Sequence, residues 1–228
     1  MEFRYVATMK RIPEPELMET MEQAEAYDQA DFSEAHGRRV ELFAQRYGRD
    51  VTGTVLDLGC GSGDILERFA KKFPKAMFLG VDGSDPMLEL SRRRMAKAGL
   101  SRRMTFLRAF IPSPEIPKQA YSVIMSHSLL HHLHEPKVLW ETIKPLAGKD
   151  TFVFVADLRR PKSEKDVANI VEELSGDEPD VLKQDFYNSL CAAFTADEIR
   201  KQLDAAGLKL KVEEIGDIHV LVYGQSAG

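Results

Sequence analysis

The chain has 228 residues, 43% hydrophobic and 29% charged, with 31 basic against 36 acidic side chains and a net charge of −5. This is the composition of a globular domain that buries about 70% of its unfolded surface without staples, which excludes collagen, low-complexity disorder and a membrane bundle. The acidic excess argues against a nucleic-acid partner, no apolar run reaches the ~20 residues of a bilayer span, and the start M-E-F-R-Y-V-A-T-M-K-R lacks a signal-peptide core.

Two thiols, Cys60 and Cys191, make neither a disulfide framework nor a zinc site, so the expected setting is reducing and cytoplasmic. Residues 1–39 are expected to form an arm or lid, polar at first and punctuated by Pro13 and Pro15. A helix is expected from Ser33 to Tyr47, on the spacing of Val40, Phe43, Ala44 and Tyr47, with Gly48 closing it. Short apolar runs then alternate with helical segments. Strands are predicted over 54–58, 77–82, 104–107, 122–126 and 151–157, and helices over 65–73, 87–98 and from Pro136 to Leu146. Ser84-Asp85-Pro86 reads as an N-cap followed by a proline at the first helical turn. This order predicts one α/β domain over 1–228, with a doubly wound, mostly parallel, seven-stranded sheet. Residues 158–194 read as a helical insertion covering an acceptor site. Thr195-x-x-Glu198 reads as a capping box, and 208–215 with 219–223 as an antiparallel hairpin at the sheet edge.

The chemistry concentrates in V-L-D-L-G-C-G-S-G-D, residues 55–64. Gly59, Gly61 and Gly63 allow a tight strand-to-helix turn and close approach of a ligand to backbone. Asp82 ends the second strand, where a nucleotide fold places the carboxylate that binds ribose. The dinucleotide pattern G-x-G-x-x-G is not met, because Asp64 stands where its third glycine belongs. Asp57 adds a second carboxylate, which suits a cationic ligand better than a pyrophosphate.

On these residues the chain resembles the class I S-adenosylmethionine-dependent methyltransferases. The resemblance also rests on G-V-D-G-S-D-P-M-L (80–88), Y-S-V-I-M-S-H-S-L-L-H-H-L (121–133), the helix and strand from Val138 to Asp157, and A-F-T-A-D-E-I-R-K-Q-L-D-A-A-G-L (193–208). It implies a Rossmann-like fold and S-adenosyl-L-methionine as cofactor. Asp57, Gly59 and Gly61 would surround the methionine part, and Asp82 would hold the ribose hydroxyls. Gly83 and Met87 would flank the adenine, and Ser126 and His127 would lie beside the methyl group. Two family acids are missing. Ala109 and Phe110 stand after the third strand, leaving adenine to backbone bonds or to the Phe110 ring, and Tyr121-Ser122 opens the fourth. Cys60 would face the cofactor pocket as a small apolar residue.

Four histidines fall in H-S-L-L-H-H-L-H: His127, His131, His132 and His134. Without a completing set of ligands no metal is expected. His127 or His131 is the candidate general base, and His132 and His134 are expected toward solvent or behind the site. Tyr27, Phe32, Arg159, Tyr187 and Asn188 are candidate substrate contacts, weighed against plain packing of the arm and insertion. Arg92, Arg93, Arg94, Arg102 and Arg103 read as a solvated face, with docking to an acidic partner as the alternative. Trp140 reads as core. The expected function is methyl transfer to a small-molecule acceptor by a monomer or homodimer. The alternatives are a non-catalytic cofactor-binding or regulatory module and an NAD-dependent oxidoreductase.

Overall fold

The computed structural model describes residues 9–14, 20–29, 33–48 and 50–226. Its strands are β1 (Gly53–Leu58), β2 (Ala76–Asp82), β3 (Met104–Arg108), β4 (Tyr121–His127), β5 (Phe152–Leu158), β6 (Lys211–Ile215) and β7 (His219–Gln225). They form one sheet in the order β3-β2-β1-β4-β5-β7-β6. β1 to β5 pair in parallel, and β7 runs antiparallel between β5 and β6. The chain winds outward from β1 to β3 and then returns to the other side of β1 as β4. The carboxyl ends of β1 and β4 therefore flank a switch point, where an open α/β sheet leaves a crevice.

Both faces are covered. The helices are α1 (Met21–Gln29), α2 (Ser33–Tyr47), α3 (Asp64–Lys72), α4 (Asp85–Lys97), α5 (Lys137–Leu146), α6 (Glu164–Ser175), α7 (Asp180–Ala192) and α8 (Ala196–Ala206). Strand side chains alternate between faces. Val55, Val123, Met125 and Phe154 pack with Phe43, Leu66, Phe69 and Met95 of α2, α3 and α4. Leu56, Ile124, Val153 and Val155 pack on the other face with Trp140, Ile143, Ile199 and Leu203 of α5 and α8. Trp140 is fully buried, and its indole N–H donates to Gln202 Oε1 at 2.9 Å, tying α5 to α8. Between β5 and α8 the chain forms α6 and α7, whose own core joins Leu158, Val167, Val171, Leu190 and Cys191.

Two boundaries differ from the sequence reading. The arm contains α1, whose composition is dominated by Glu22, Gln23, Glu25 and Asp28; Ala24 is fully buried against Met87 and Leu90 of α4. The last hairpin begins at Lys211 rather than Leu208. Gly207 ends α8 in a left-handed turn, and Leu208 N–H donates back to Leu203 O at 3.0 Å, so these residues close the helix. Among the described residues, no helix is long and apolar enough to cross a membrane.

Candidate active site

The glycine loop is hooked onto β2. Gly59 N–H and Cys60 N–H both donate to Val81 O, at 2.8 and 3.1 Å. Gly63 has φ +79°, and a Cβ there would lie 2.7 Å from Ser91 Oγ, so α4 can approach only a glycine. At Gly61, φ is +54° and nothing lies within 4 Å of the Cβ position, so the loop faces open space there. Asp82 holds the loop from the next strand: its Oδ2 accepts from Gly61 N–H at 2.9 Å and its Oδ1 from Ser84 N–H at 2.8 Å. Each oxygen keeps a lone pair for a further donor.

Asp57, next to last in β1, is 2% exposed, and among the described residues its Oδ1 has no hydrogen-bond partner. Burial, with the Asp82 charge added, pushes its carboxyl well above the ordinary range. His127 follows the same strand parity and lies 4.0 Å from Asp57 Oδ1. Among the described residues, both of its ring nitrogens are also without a hydrogen-bond partner. Its ring contacts Phe69 and Phe154 at 5.8 and 5.7 Å between centroids. Arg39 reaches the same end of the sheet from α2. Its Nη1 donates to Ser128 Oγ and Ala156 O at 3.3 Å, neither of them a carboxylate. Ser128 itself sits at φ +51°, a strained conformation for a residue with a Cβ. Buried polar atoms without partners, an open glycine backbone and a guanidinium with no carboxylate bonded to it among the described residues together fit a zwitterionic amino-acid group.

Residues 55–146 match the family model described as "Methyltransferase domain". An uncharacterized methyltransferase of Mycobacterium tuberculosis H37Rv is 30% identical over 86 residues, 38% of this chain and 41% of that protein. Malonyl-[acyl-carrier protein] O-methyltransferase of Priestia megaterium is 29% identical over 125 residues, 53% of this chain and 43% of that one. The chain thus spans well under half the length of these curated relatives. A putative S-adenosyl-L-methionine-dependent methyltransferase structure from Methanococcus maripaludis superposes with a TM-score of 0.73 at 16% identity, over 95% of this chain and 98% of that one. Over residues 55–146 the chain is thus similar to the methyltransferase domain family, and its fold is that of solved S-adenosyl-L-methionine-dependent methyltransferase structures.

Not every cofactor residue that the resemblance implies points at the crevice. Ser126 is fully buried, and its hydroxyl donates to Leu58 O at 2.8 Å, so the side chain ties β4 to β1. The Cys60 thiol points into the core, 2.8 Å from where a Gly80 Cβ would stand, so only its backbone lines the loop. His127 is a poor proton acceptor: burial, with Arg39 nearby, holds it well below its ordinary range. Gly83 leads from Asp82 into α4. Met87 packs under α1 with Ala24, Leu90 and Tyr27. Ala109 N–H donates to Asp82 O at 3.0 Å, and Phe110 stands 59% exposed beside it.

The opposite side of the crevice is assembled from distant segments. Asp157, 2% exposed at the end of β5, accepts from Leu130 N–H at 2.8 Å and pairs with His131 Nδ1 at 2.6 Å. Burial opposes its charge, but His131 and the hydrogen bonds pull its carboxyl below the ordinary range. Residues 9–14 cross this end of the sheet. Arg11 lies over the Phe194 ring and donates to the carbonyls of His131, Leu133 and Ala192, at 2.8, 2.9 and 2.6 Å. Glu14 Oε1 faces His131 Nε2 at 3.5 Å, and Ser189 of α7 donates to its carboxylate at 3.1 Å. Arg160, 4% exposed, binds Met9 O, Ala193 O and Glu198.

Glu14, Arg11, Arg39, Asp157 and Arg160 were not singled out in the sequence. Three residues that were lie elsewhere. Arg159 donates to Gly216 O and Asp217 O at 3.3 and 2.5 Å and faces Glu214, so it braces the β6–β7 turn. Asn188 Oδ1 accepts from Gln184 Nε2 along α7. Tyr187 packs into the α6–α7 core. Phe32 lies outside the described residues. The arginine cluster divides: Arg93 pairs with Glu89 at the surface, whereas Arg94 binds Asp28, Asp64, Glu67 and Ser62 O, and Arg103 binds the carbonyls of Ala70, Phe73 and Ala76.

Proposed function

We propose that this methyltransferase moves a methyl group from S-adenosylmethionine to a small-molecule acceptor held under residues 9–14 and α6–α7. The observation that carries the reading is the division of charge around one cleft. Asp57 and Asp82 stand on the glycine-loop side, and the Asp157–His131 pair stands under the arm on the other.

When bound, the cofactor supplies a methyl group on a sulfonium, an electrophile needing no further activation. Asp57 would answer its ammonium and Arg39 its carboxylate. Asp82, already fixed by two backbone N–H groups, would accept the ribose hydroxyls with little reorganisation. Phe110, Ala109, Gly83 and Met87 would border the adenine. Orientation of an acceptor against a held donor supplies ~7–11 kcal/mol of barrier lowering, which gives the arm its task of positioning the acceptor and excluding water. His131, fixed by Asp157, is the catalytic residue on the acceptor side, and Tyr27 of α1 contributes to the cover.

Incubation with methyl-labelled S-adenosylmethionine and size-fractionated extracts tests this. Label should enter the small-molecule fraction and depend on His131. Label entering only protein or nucleic acid would overturn the acceptor class, and binding without any labelled product would favour a regulatory module.

A further inference from the structure

We propose that Glu14, His131 and His132 form a binding site for one divalent transition-metal ion of the zinc class. Glu14 Oε1 lies 3.5 Å from His131 Nε2 and 3.2 Å from His132 Nδ1. All three donor atoms lie within 4.8 Å of one another. Two donors each ~2.0–2.1 Å from a tetrahedral zinc ion stand about 3.4 Å apart, so this is the spacing of a coordination shell. The two imidazoles are tilted by 36° with centroids 4.1 Å apart, and each presents one nitrogen to the Glu14 carboxylate.

The surroundings are those of a ligand set. His131 Nδ1 is paired with Asp157 Oδ1 at 2.6 Å. A neutral ring held this way keeps its proton on Nδ1 and directs the Nε2 lone pair toward Glu14, the carboxylate–histidine–metal arrangement. Asp157 is fixed in turn by Leu130 N–H and Leu158 N–H, at 2.8 and 2.7 Å. Ser189 steadies the Glu14 carboxylate, and Arg11 clamps the backbone of His131 and Leu133. Two carboxylates, 10% and 2% exposed, flank one imidazole, and a cation between Glu14 and the rings answers that charge.

Two nitrogens and one carboxylate oxygen suit zinc, cobalt, iron or manganese rather than magnesium, which favours oxygen shells. Three protein ligands leave a coordination position open, as catalytic rather than structural sites do. On the proposed function, which this deepens, that position would hold an oxygen-bearing acceptor, and His131 would act as a ligand rather than as a free base. One ligand comes from the arm, so the ion would also fasten the arm to the sheet.

The test is zinc titration of untagged, chelator-stripped protein by calorimetry, with cobalt absorption as a second readout. One ion per chain should bind with tetrahedral-type cobalt bands. Glu14→Gln and His132→Gln, their folds checked by circular dichroism, should each weaken binding at least ~100-fold. His132 is 27% exposed, so its replacement keeps the test usable if the Glu14 variant loosens the arm. Zinc bound no more tightly by wild type than by both variants would overturn the site and leave a shared proton as its occupant. S-Adenosylhomocysteine binding by the same stripped protein is scored separately: binding it but not zinc sinks the metal site alone, and the reverse sinks the methyltransferase reading alone.

Discussion

The two sides of the cleft are built in opposite ways. The cofactor side comes from one short stretch, 55–64, plus the end of the neighbouring strand, and its decisive bonds are backbone N–H groups meeting Asp82. The proposed acceptor side gathers Glu14, His131, Asp157 and Ser189 from four separate segments, with Glu14 and Ser189 175 positions apart. A local motif needs only a strand and a turn to exist. The acceptor side needs the whole fold and a docked arm, so the arm can be disturbed while the cofactor cleft stays intact.

The largest effect is expected from Asp82→Ala. It strands the N–H groups of Gly61 and Ser84, each costing ~1–3 kcal/mol, and removes the ribose acceptor, so calorimetry should show S-adenosylhomocysteine affinity down at least ~100-fold. Arg11→Ala should act on the other side alone. Losing three bonds to the His131, Leu133 and Ala192 carbonyls should cut methyl transfer ~10-fold or more while cofactor affinity stays within about twofold. A parallel fall in both would show that the two sides are one unit. Asp57→Asn should cost about tenfold in cofactor affinity. Because burial raises the Asp57 carboxyl, wild-type affinity for the cationic amine should rise as the pH passes upward through that raised value. The variant should lack this dependence.

Asp64 is a stability element between arm and core, bonded to His36, Arg68 and Arg94 at 2.7, 2.8 and 3.2 Å. Burial opposes its ionisation, but these partners hold its carboxyl far below the ordinary range. Its contribution is therefore complete above the unfolded-chain value of ~3.9 and is lost as the pH falls below it toward the folded value. Asp64→Asn should cost ~1–3 kcal/mol in urea unfolding at neutral pH, with the gap closing in acid. Arg159→Ala should do least, at about 1 kcal/mol of stability with methyl transfer unchanged, because it braces only the β6–β7 turn.

The same contrast explains what the sequence could show. Alternating apolar runs marked every strand, since both faces of β1, β4 and β5 are buried. That Gly59, Gly61, Asp57 and Asp82 gather at one crevice was legible because turn and carboxylates sit within one β-α-β unit. Strand parity also places His127 beside Asp57, both on the α2–α3 face, and it turns Ser126 away. α1 was hidden because its contact with α4 needs so few apolar residues, Ala24 foremost. Nothing local distinguishes Glu14 in a proline-flanked acidic arm, and nothing separates Arg159 from Arg160 until the fold sends one to a turn and the other into the core.

The central claim is that the open glycine loop and Asp82 form a cofactor cleft. Calorimetric titration of the purified chain with S-adenosylhomocysteine tests it most directly. One molecule should bind per chain, and NAD should give no heat. No binding of S-adenosylhomocysteine, or binding that survives Asp82→Ala undiminished, would contradict the account.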